Sequence, residues 1–368
     1  MRLPWFRYLA PRTLADAAAV LAGEAPGDAM LLAGGTDLLP NMKRRQQVPR
    51  VVVGLRGVSE LRRAANGNGM RLGAGLTLTD LVRDSRIRQS YPALWQAAAQ
   101  VATPHLRNMA TIGGNICLDT RCNYYDQNYE WRKAIDFCMK KDGEICWVAP
   151  GSDICLAVSS TDTAPALLAL GARVRLVSSH GERDLPIADL YRNDGIHYLT
   201  RRPDEILAEI LLDPPTSVST GAGAAAGPAV QEASRPASGL PLASTYWKLR
   251  RRGAFDFPVL GVAAAARIDP AGTVREARIV LGAVASRPLV CAAAAEYLVG
   301  KQLTDVTIAE TAERAAEPAK PMDNTDFVYH WRKRVTREFV GYALRELRGE
   351  DMSATRLRTA RKDLTAIL

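Results

Sequence analysis

Histidine is scarce in this chain, with four residues in 368, at positions 105, 180, 197 and 330. None stands beside a Ser or Cys in a recognisable motif, which leaves no nucleophile–base arrangement of the hydrolytic kind. The histidine pair of a zinc finger is missing, and so are the closely spaced cysteine pairs that usually mark structural zinc. No apolar run approaches the roughly 20 residues of a membrane helix. The opening Met1-Arg2-Leu3-Pro4-Trp5-Phe6-Arg7 turns to Pro and charge before a signal-peptide core can form, so a cytoplasmic protein is expected. No aromatic–glycine RNA signature occurs either, and no nucleic-acid partner is expected. The net charge of +9 is spread along the chain and is densest at Lys43-Arg44-Arg45, Arg250-Arg251-Arg252 and Arg332-Lys333-Arg334. Such runs suit a solvated face, an anionic cofactor or an acidic partner.

What is present is more specific. Five of the six cysteines fall between positions 117 and 155, and in a reducing compartment such clustering points to metal or redox chemistry rather than to disulfides. Cys122, Cys138, Cys146 and Cys155 have 15, 7 and 8 residues between them. Their surroundings, roughly residues 118–158, are rich in Asp, Asn, Tyr, Trp and Lys, without a sustained period of 2 or 3.6 residues. An irregular segment of that length needs a reason to be ordered, and a shared metal centre is one. Irregular spacing suits four thiolates wrapped around an iron–sulfur cluster; zinc and buried free thiols stay open at this point. Cys117 and Cys291 read as packing residues, and Lys133, Lys140 and Lys141 as a solvated face or as counter-charge.

Elsewhere the patterning is regular. Leu14–Leu21 reads as a helix, and Ala29–Ala33 as a buried strand running into Gly34-Gly35-Thr36-Asp37. A helix opening at Leu38 is expected to break early at Pro40, and Val51–Val53 is the next strand. Met70–Gly75 reads as a strand, followed by a helix capped by Thr79 and an Ala-rich helix over Leu94–Val101. Helix Ala166–Leu170 and strand Arg173–Val177 follow the cysteine segment. Residues 214–240, dominated by small residues and Pro, read as a flexible linker or insertion. Three strands are expected near Tyr246–Arg250, Gly261–Ile268 and Arg275–Ala285, then helices over Ala292–Val299, Thr307–Ala315 and Tyr329–Arg348.

Two glycine turns carry candidate binding chemistry. In Ala33-Gly34-Gly35-Thr36-Asp37 a strand runs into paired glycines before a helix, which exposes main-chain N–H groups without obstructing Cβ atoms and suits a pyrophosphate. A purely structural tight turn is equally consistent. Thr111-Ile112-Gly113-Gly114-Asn115 repeats the logic, and two such turns favour a dinucleotide. Asp162, ahead of a helix expected to open at Pro165, is either a helix cap or an acceptor for a cofactor group.

Taken together, Leu31–Leu38 and Arg107–Asn115 resemble the two flavin-binding signatures of the FAD subunits of molybdenum hydroxylases, the xanthine dehydrogenase and carbon monoxide dehydrogenase family. The resemblance continues through Leu72–Gly75 with Thr77 and Thr79, Asp204–Leu207, Tyr246–Arg250 and Arg278–Val284. It implies an α+β chain: a two-lobed FAD-binding domain of the vanillyl-alcohol-oxidase-like (PCMH) type, then a C-terminal α+β domain with a small antiparallel sheet and helices. The boundaries implied are 1–60 and 61–213 for the two lobes, 214–240 for the linker, 241–350 for the C-terminal domain and 351–368 for a tail. Position by position, Ala33, Gly34, Gly35, Thr36 and Asp37 would line the FAD pyrophosphate. Thr111, Gly114 and Asn115 would flank the diphosphate and ribityl chain, Asp162 would lie near the flavin, and Leu207 and Lys248 would approach the cofactor. A lysine at 248 near the flavin could stabilise its reduced anion or simply sit at a strand edge.

The cysteine segment resembles the loop that, in the 4-hydroxybenzoyl-CoA reductase branch of the family, binds a [4Fe–4S] cluster through four cysteines, here Cys122, Cys138, Cys146 and Cys155. That likeness implies an αβγ assembly, doubled to a heterohexamer, whose other chains carry the molybdenum cofactor and two [2Fe–2S] clusters. Electrons would enter from a reduced ferredoxin at the [4Fe–4S] site and leave through FAD for dehydroxylation to benzoyl-CoA. Basic residues near the cluster would steer the acidic donor, an effect that salt weakens. No catalytic residue is expected on this chain. Another molybdenum hydroxylase, or a zinc-stabilised scaffold protein without redox function, are the alternatives.

Overall fold

Three separate sheets organise the computed structural model, which describes residues 2–215, 239–325 and 327–360. The first is parallel, in the order β1-β3-β2, with β1 Arg7–Leu9, β2 Ala29–Leu32 and β3 Val51–Gly54. Val51, Val52 and Val53 are all buried, as a central parallel strand demands. The second is antiparallel, in the order β4-β5-β8-β6-β7, with β4 Ala64–Gly67, β5 Gly69–Gly73, β6 Arg173–Ser178, β7 Gly181–Pro186 and β8 Ile206–Leu212. The third, also antiparallel, runs β12-β11-β10-β9, with β9 Leu242–Leu249, β10 Leu260–Ile268, β11 Val274–Gly282 and β12 Leu289–Val290.

Strand β10 shows how the C-terminal sheet is held against the rest. Alternate side chains of a strand point to opposite faces. Ala263 and Ala265 join the large core that also contains Leu94 and Leu167, whereas Val262, Ala264 and Ala266 join a second core with Phe339 and Val340. The run of small residues is therefore buried on both faces. One face is closed by helices Pro92–Gln100 and Thr163–Ala169 and the other by the long helix Tyr329–Arg348. The flavin-type lobe and the C-terminal sheet thus share one core, and residues from both reach the same cleft.

Several local expectations need correction. Pro40 does not break its helix, which runs Leu38–Lys43, because a proline in the first turn lacks only an N–H that has no intrahelical partner there. Thr77, not Thr79, caps the following helix, in a reciprocal box with Asp80. The hydroxyl of Thr79 instead donates to Asn108 Oδ1 at 2.7 Å. The helix expected at Pro165 opens at Thr163. Of the 214–240 segment, residues 216–238 lie outside the described residues. The expected C-terminal tail carries a helix over Ser353–Ala360, and Arg356 anchors it by lying over the Trp247 ring at 4.1 Å and pairing with Glu346; residues 361–368 lie outside the described residues. The basic runs are not uniformly solvated, since Arg250 and Arg332 are buried. Among the described residues no helix is long and apolar enough to cross a membrane.

Candidate functional site: a glycine-flanked cleft and a quartet of thiols

The two glycine turns meet in space. Gly34, directly after β2, approaches the main chain of Met109 and Ala110 so closely that a Cβ there would fall inside the Met109 carbonyl. Gly35 holds the left-handed φ of +72° that turns the chain into the next helix. Opposite, Thr111 caps the short helix Ile112–Ile116 by accepting from Gly114 N at 3.1 Å. A Cβ on Gly113 would stand 2.6 Å from that of Ala74. Both turns are therefore glycine because backbones touch there, and the touching turns form one wall of a cleft of about 880 Å³.

Ala33, Gly34, Gly35, Thr36, Asp37, Thr111, Gly114, Asn115, Asp162 and Leu207 all line this cleft. Within it their roles diverge. Asn115 is structural on one side: its Oδ1 accepts from Thr161 Oγ1 at 2.9 Å and from the Thr163 main chain and hydroxyl at 3.1 and 2.7 Å. This fixes the turn that presents Asp162. Asp162 occupies the N-cap position of helix Thr163–Ala169, but its side chain makes no capping hydrogen bond; its carboxylate accepts from the Tyr246 hydroxyl at 2.7 Å and from Lys248 Nζ at 2.9 Å. Asp37 pairs with Arg121, which also meets Asp126 at 3.0 Å and lies over the Phe257 ring at 4.8 Å.

Lys248 does not line the cleft. Its buried ammonium donates to Asp162, to the Gln100 carbonyl at 3.1 Å and to the Asp256 carbonyl at 2.9 Å. Three acceptors saturate it, so it supports the wall from behind instead of reaching a ligand. Burial pushes its pKa below the usual lysine value, and the facing Asp162 opposes that shift. Through Asp256 the same lysine holds the segment after β9, whose Phe255 and Phe257 line the cleft from the C-terminal sheet. Sequence reasoning missed these two residues; their exposure, 61% and 47%, has no local signature. It also missed Arg56, Arg62 and Arg201 in the lining, where Arg44 of the first basic run lies too, and read Cys117 as packing, although Cys117 lines the cleft as well.

The lining fits FAD. Gly34 and Gly35 leave the main chain open to a diphosphate, the arginines supply positive charge, and Leu31, Leu55, Leu61 and Ile206 supply apolar wall.

A second group of residues gathers beside the cleft. Cys122, Cys138, Cys146 and Cys155 are buried, with 5–7% exposure, and all are free. Cys122, Cys138 and Cys155 share a small core with Tyr125 and Ala157. Negative charge on Cys138 or Cys155 would raise Cys122, and charge on Cys146 or Cys138 would raise Cys155, which puts the four within reach of one another. Burial pushes the Cys122 thiol up to about 12 and Cys155 to about 11, although main-chain N–H groups point at both sulfurs and Lys140 opposes the shift at Cys155. Among the described residues no three His, Cys, Asp or Glu side chains close around one point as a metal ion requires. The expected metal set is thus brought together but not drawn to a single ion, which holds its thiolates at about 2.3 Å.

The loop carrying these thiols has one helix, Tyr129–Ala134, capped by Asn128. Asp136, Phe137 and Asp142 take left-handed φ values of 59°, 59° and 68° around Cys138, which costs strain in residues with side chains. Arg132, buried, ties the loop to the first lobe through the Arg44 and Arg45 carbonyls at 3.2 and 3.3 Å. Lys140 is not on a solvated face: its side chain is 7% exposed and paired with Asp119 at 2.8 Å.

Comparison with known proteins identifies the frame. Residues 4–214 match the family described as the FAD binding domain in molybdopterin dehydrogenase. The chain belongs to that family of FAD-binding subunits. Residues 244–347 match the CO dehydrogenase flavoprotein C-terminal domain, so the fold is a molybdopterin-dehydrogenase FAD domain followed by this second domain. The aldehyde oxidoreductase FAD-binding subunit PaoB of Escherichia coli K12 is 31% identical over 323 residues, covering 85% of this chain and 92% of its own length. The xanthine dehydrogenase FAD-binding subunit of Escherichia coli O157:H7 is 26% identical over 343 residues, covering 92% and 95%. Among solved structures, carbon monoxide dehydrogenase of Hydrogenophaga pseudoflava superposes with a TM-score of 0.72 at 25% identity, over 95% of this chain and 99% of that one. This molybdenum hydroxylase chain is an oxidoreductase subunit.

Proposed function

We propose that this chain is the FAD-carrying electron-transfer subunit of a molybdenum hydroxylase complex, with a molybdopterin-binding large subunit and a [2Fe–2S] small subunit as partners. The observation that carries the reading is the contact of the two glycine turns, which together form one wall of a cleft of about 880 Å³, in a chain of this family. FAD, when bound, supplies a store for two electrons that one-electron carriers can fill or empty. The chain's own residues supply the rest. Gly34–Thr36 and Thr111–Gly114 would hold the diphosphate, Asn115 keeps Asp162 presented to the cleft, and Phe255 and Phe257 exclude water at its mouth. Relatives named for aldehyde, xanthine and carbon monoxide share this kind of subunit, which supports a substrate site on another chain. Six free cysteines suit a reducing cytoplasm.

A second, narrower reading is favoured by the thiol quartet: a [4Fe–4S] cluster on Cys122, Cys138, Cys146 and Cys155, as in 4-hydroxybenzoyl-CoA reductase. Four free buried thiols in one loop, with main-chain N–H groups at the Cys122 and Cys155 sulfurs and no closely spaced cysteine pair of the structural-zinc kind, support a cluster over zinc. Thiolate binding would release their protons. A ferredoxin donor would not be steered by basic residues as the sequence suggested. On the loop Glu130, Asp136, Glu144 and Asp153 are exposed against Lys133, the part-exposed Lys141 is paired with Asp142, and Arg121, Arg132 and Lys140 are buried or paired. Contact would rest on the exposed Tyr129, Trp131, Ile145 and Trp147, with little loss in high salt.

Flavin, iron and acid-labile sulfide should be measured on the anaerobically purified complex. One FAD and about four irons assigned to this chain support both readings. FAD without iron here removes the second, and zinc without flavin overturns the first. Dehydroxylation of 4-hydroxybenzoyl-CoA with a low-potential donor supports the narrower substrate assignment; turnover of an aldehyde or purine in its place rejects it.

A further inference from the structure

Several polar groups on the cleft wall are already committed to the protein. Asn115 Oδ1 accepts three hydrogen bonds, Thr111 Oγ1 caps its helix, and both oxygens of Asp119 accept. Ser160 is different. It is 3% exposed and lines the cleft, yet among the described residues neither its hydroxyl nor its main-chain N–H or carbonyl meets a hydrogen-bond partner. The hydroxyl oxygen is not sealed in the interior as Arg132 Nε and Asn324 Oδ1 are, so it opens onto the cleft. Native proteins hold few buried polar groups without a partner. Nor is this turn a loose one. The Ser159 N–H donates to the Ala285 carbonyl at 3.0 Å, and Thr161 Oγ1 donates to Asn115 Oδ1 at 2.9 Å while accepting from Ala164 N at 3.3 Å. Held on both sides, Ser160 is presented to whatever fills the cleft.

We propose that Ser160 is a further cofactor-contacting residue, its hydroxyl donating to a carbonyl oxygen on the pyrimidine edge of the flavin ring. This deepens the FAD reading above and rests on it. That edge displays carbonyl, N–H and carbonyl in turn, and so calls for a donor beside an acceptor. Ser160 offers the donor, and Asp162, two residues on and also in the lining, offers the acceptor. The place in the cleft agrees. Lys248 Nζ joins the Asp162 carboxylate and the Asp256 carbonyl, each at 2.9 Å, which ties this turn to the segment carrying the exposed Phe255 and Phe257 at the mouth. The ring that exchanges electrons belongs at the mouth, whereas adenine does not need to be reached. A hydrogen bond to a ring carbonyl strengthens as the ring gains negative charge, so Ser160 favours the reduced flavin.

The test uses the whole complex, freed of flavin and reconstituted with FAD carrying carbon-13 at the ring carbonyls. Ser160→Ala removes the hydroxyl and little else. One ring-carbonyl band in the infrared is expected to move to higher frequency, the flavin midpoint potential to fall, and the FAD dissociation constant to rise roughly two- to tenfold. Ser160→Thr, which keeps a hydroxyl, is expected to restore the band and the potential. Should Ser160→Ala retain no FAD, Ser160→Cys, a weaker donor of similar size, carries the comparison with shifts of the same sign. Unchanged bands and potential at full FAD content overturn the proposal. They overturn it even where affinity falls, since affinity loss alone puts the bond on the ribityl chain or the adenosine half. A wild-type complex that binds no flavin rejects the FAD reading itself and is told apart by flavin content alone.

Discussion

The flavin-type cleft and the cysteine loop lie side by side yet are held by opposite means. The cleft is built at the ends of regular elements, β2, β8 and the helices Ile112–Ile116 and Thr163–Ala169, and its polar side chains are satisfied by the protein: Asn115 Oδ1 accepts three hydrogen bonds and Asp162 two. The loop has a single short helix, three left-handed residues around Cys138, and buried polar atoms such as Arg132 Nε and Asn324 Oδ1 without hydrogen bonds at its seams. A buried unsatisfied polar atom costs about 1–3 kcal/mol. The difference teaches that the cleft is held by regular elements and satisfied polar side chains, whereas the loop is held by a small core around its thiols and by polar ties such as Arg132 to the Arg44 and Arg45 carbonyls.

The largest expected effect breaks the cleft from behind. Lys248→Met leaves Asp162 buried without its cation, a change that costs about 3–5 kcal/mol. Denaturant unfolding should show that loss together with poor flavin retention. A variant of wild-type stability would mean that Asp162 is not held by this pair.

Gly34→Ala tests the other wall. Its methyl has no room beside the Met109 carbonyl, and overpacking costs about 1–3 kcal/mol. The flavin-to-protein absorbance ratio should fall steeply while iron content is kept; an unchanged ratio would show that the turns can part without harm.

Cys138→Ser acts on the loop alone. Iron is expected to be lost with most FAD retained, and hydrogen exchange should accelerate over residues 118–158 but not over β2 or β8. Loss of flavin in parallel would erase the distinction between the two regions.

The smallest effect is an acid limb in the flavin-type lobe. Burial alone would raise the Glu205 carboxyl, but the Arg183 guanidinium, the Arg202 N–H and both positive charges outweigh it and hold it below its ordinary 4.5. A depressed carboxylate contributes stability that is complete above the unfolded value and is lost as pH falls through the folded one. Glu205→Gln should therefore flatten the stability profile below about pH 4.5 by roughly 1 kcal/mol, measured by thermal unfolding across that range. An unaltered acid limb would place its origin elsewhere.

Residue type made some of this legible and left the rest hidden. Paired glycines before a helix are readable because only glycine allows such close backbone approach, and all ten cleft-lining residues named from the sequence face one cavity. Thr79 and Thr77 were confused because they stand two residues apart at the start of the same helix, Thr77 just before it and Thr79 in its first turn, and only the hydrogen bonds separate them. Lys140 and Lys248 were misplaced for a common reason: a lysine's burial depends on distant acceptors, here Asp119, Gly195, Gln100 and Asp256, that no local pattern announces.

By itself the sequence determined the regular elements, the two glycine turns, the grouping of four cysteines in one irregular stretch and the family likeness, since these follow from steric and periodic rules acting over a few residues. Tertiary structure alone decided that Gly34 closes on Met109, that Phe255 and Phe257 cross from the C-terminal sheet to the cleft, and that Lys140 is buried against Asp119 and the Gly195 carbonyl. Those facts join residues tens of positions apart, and only the shared burial of sheets and helices brings them within reach of one another.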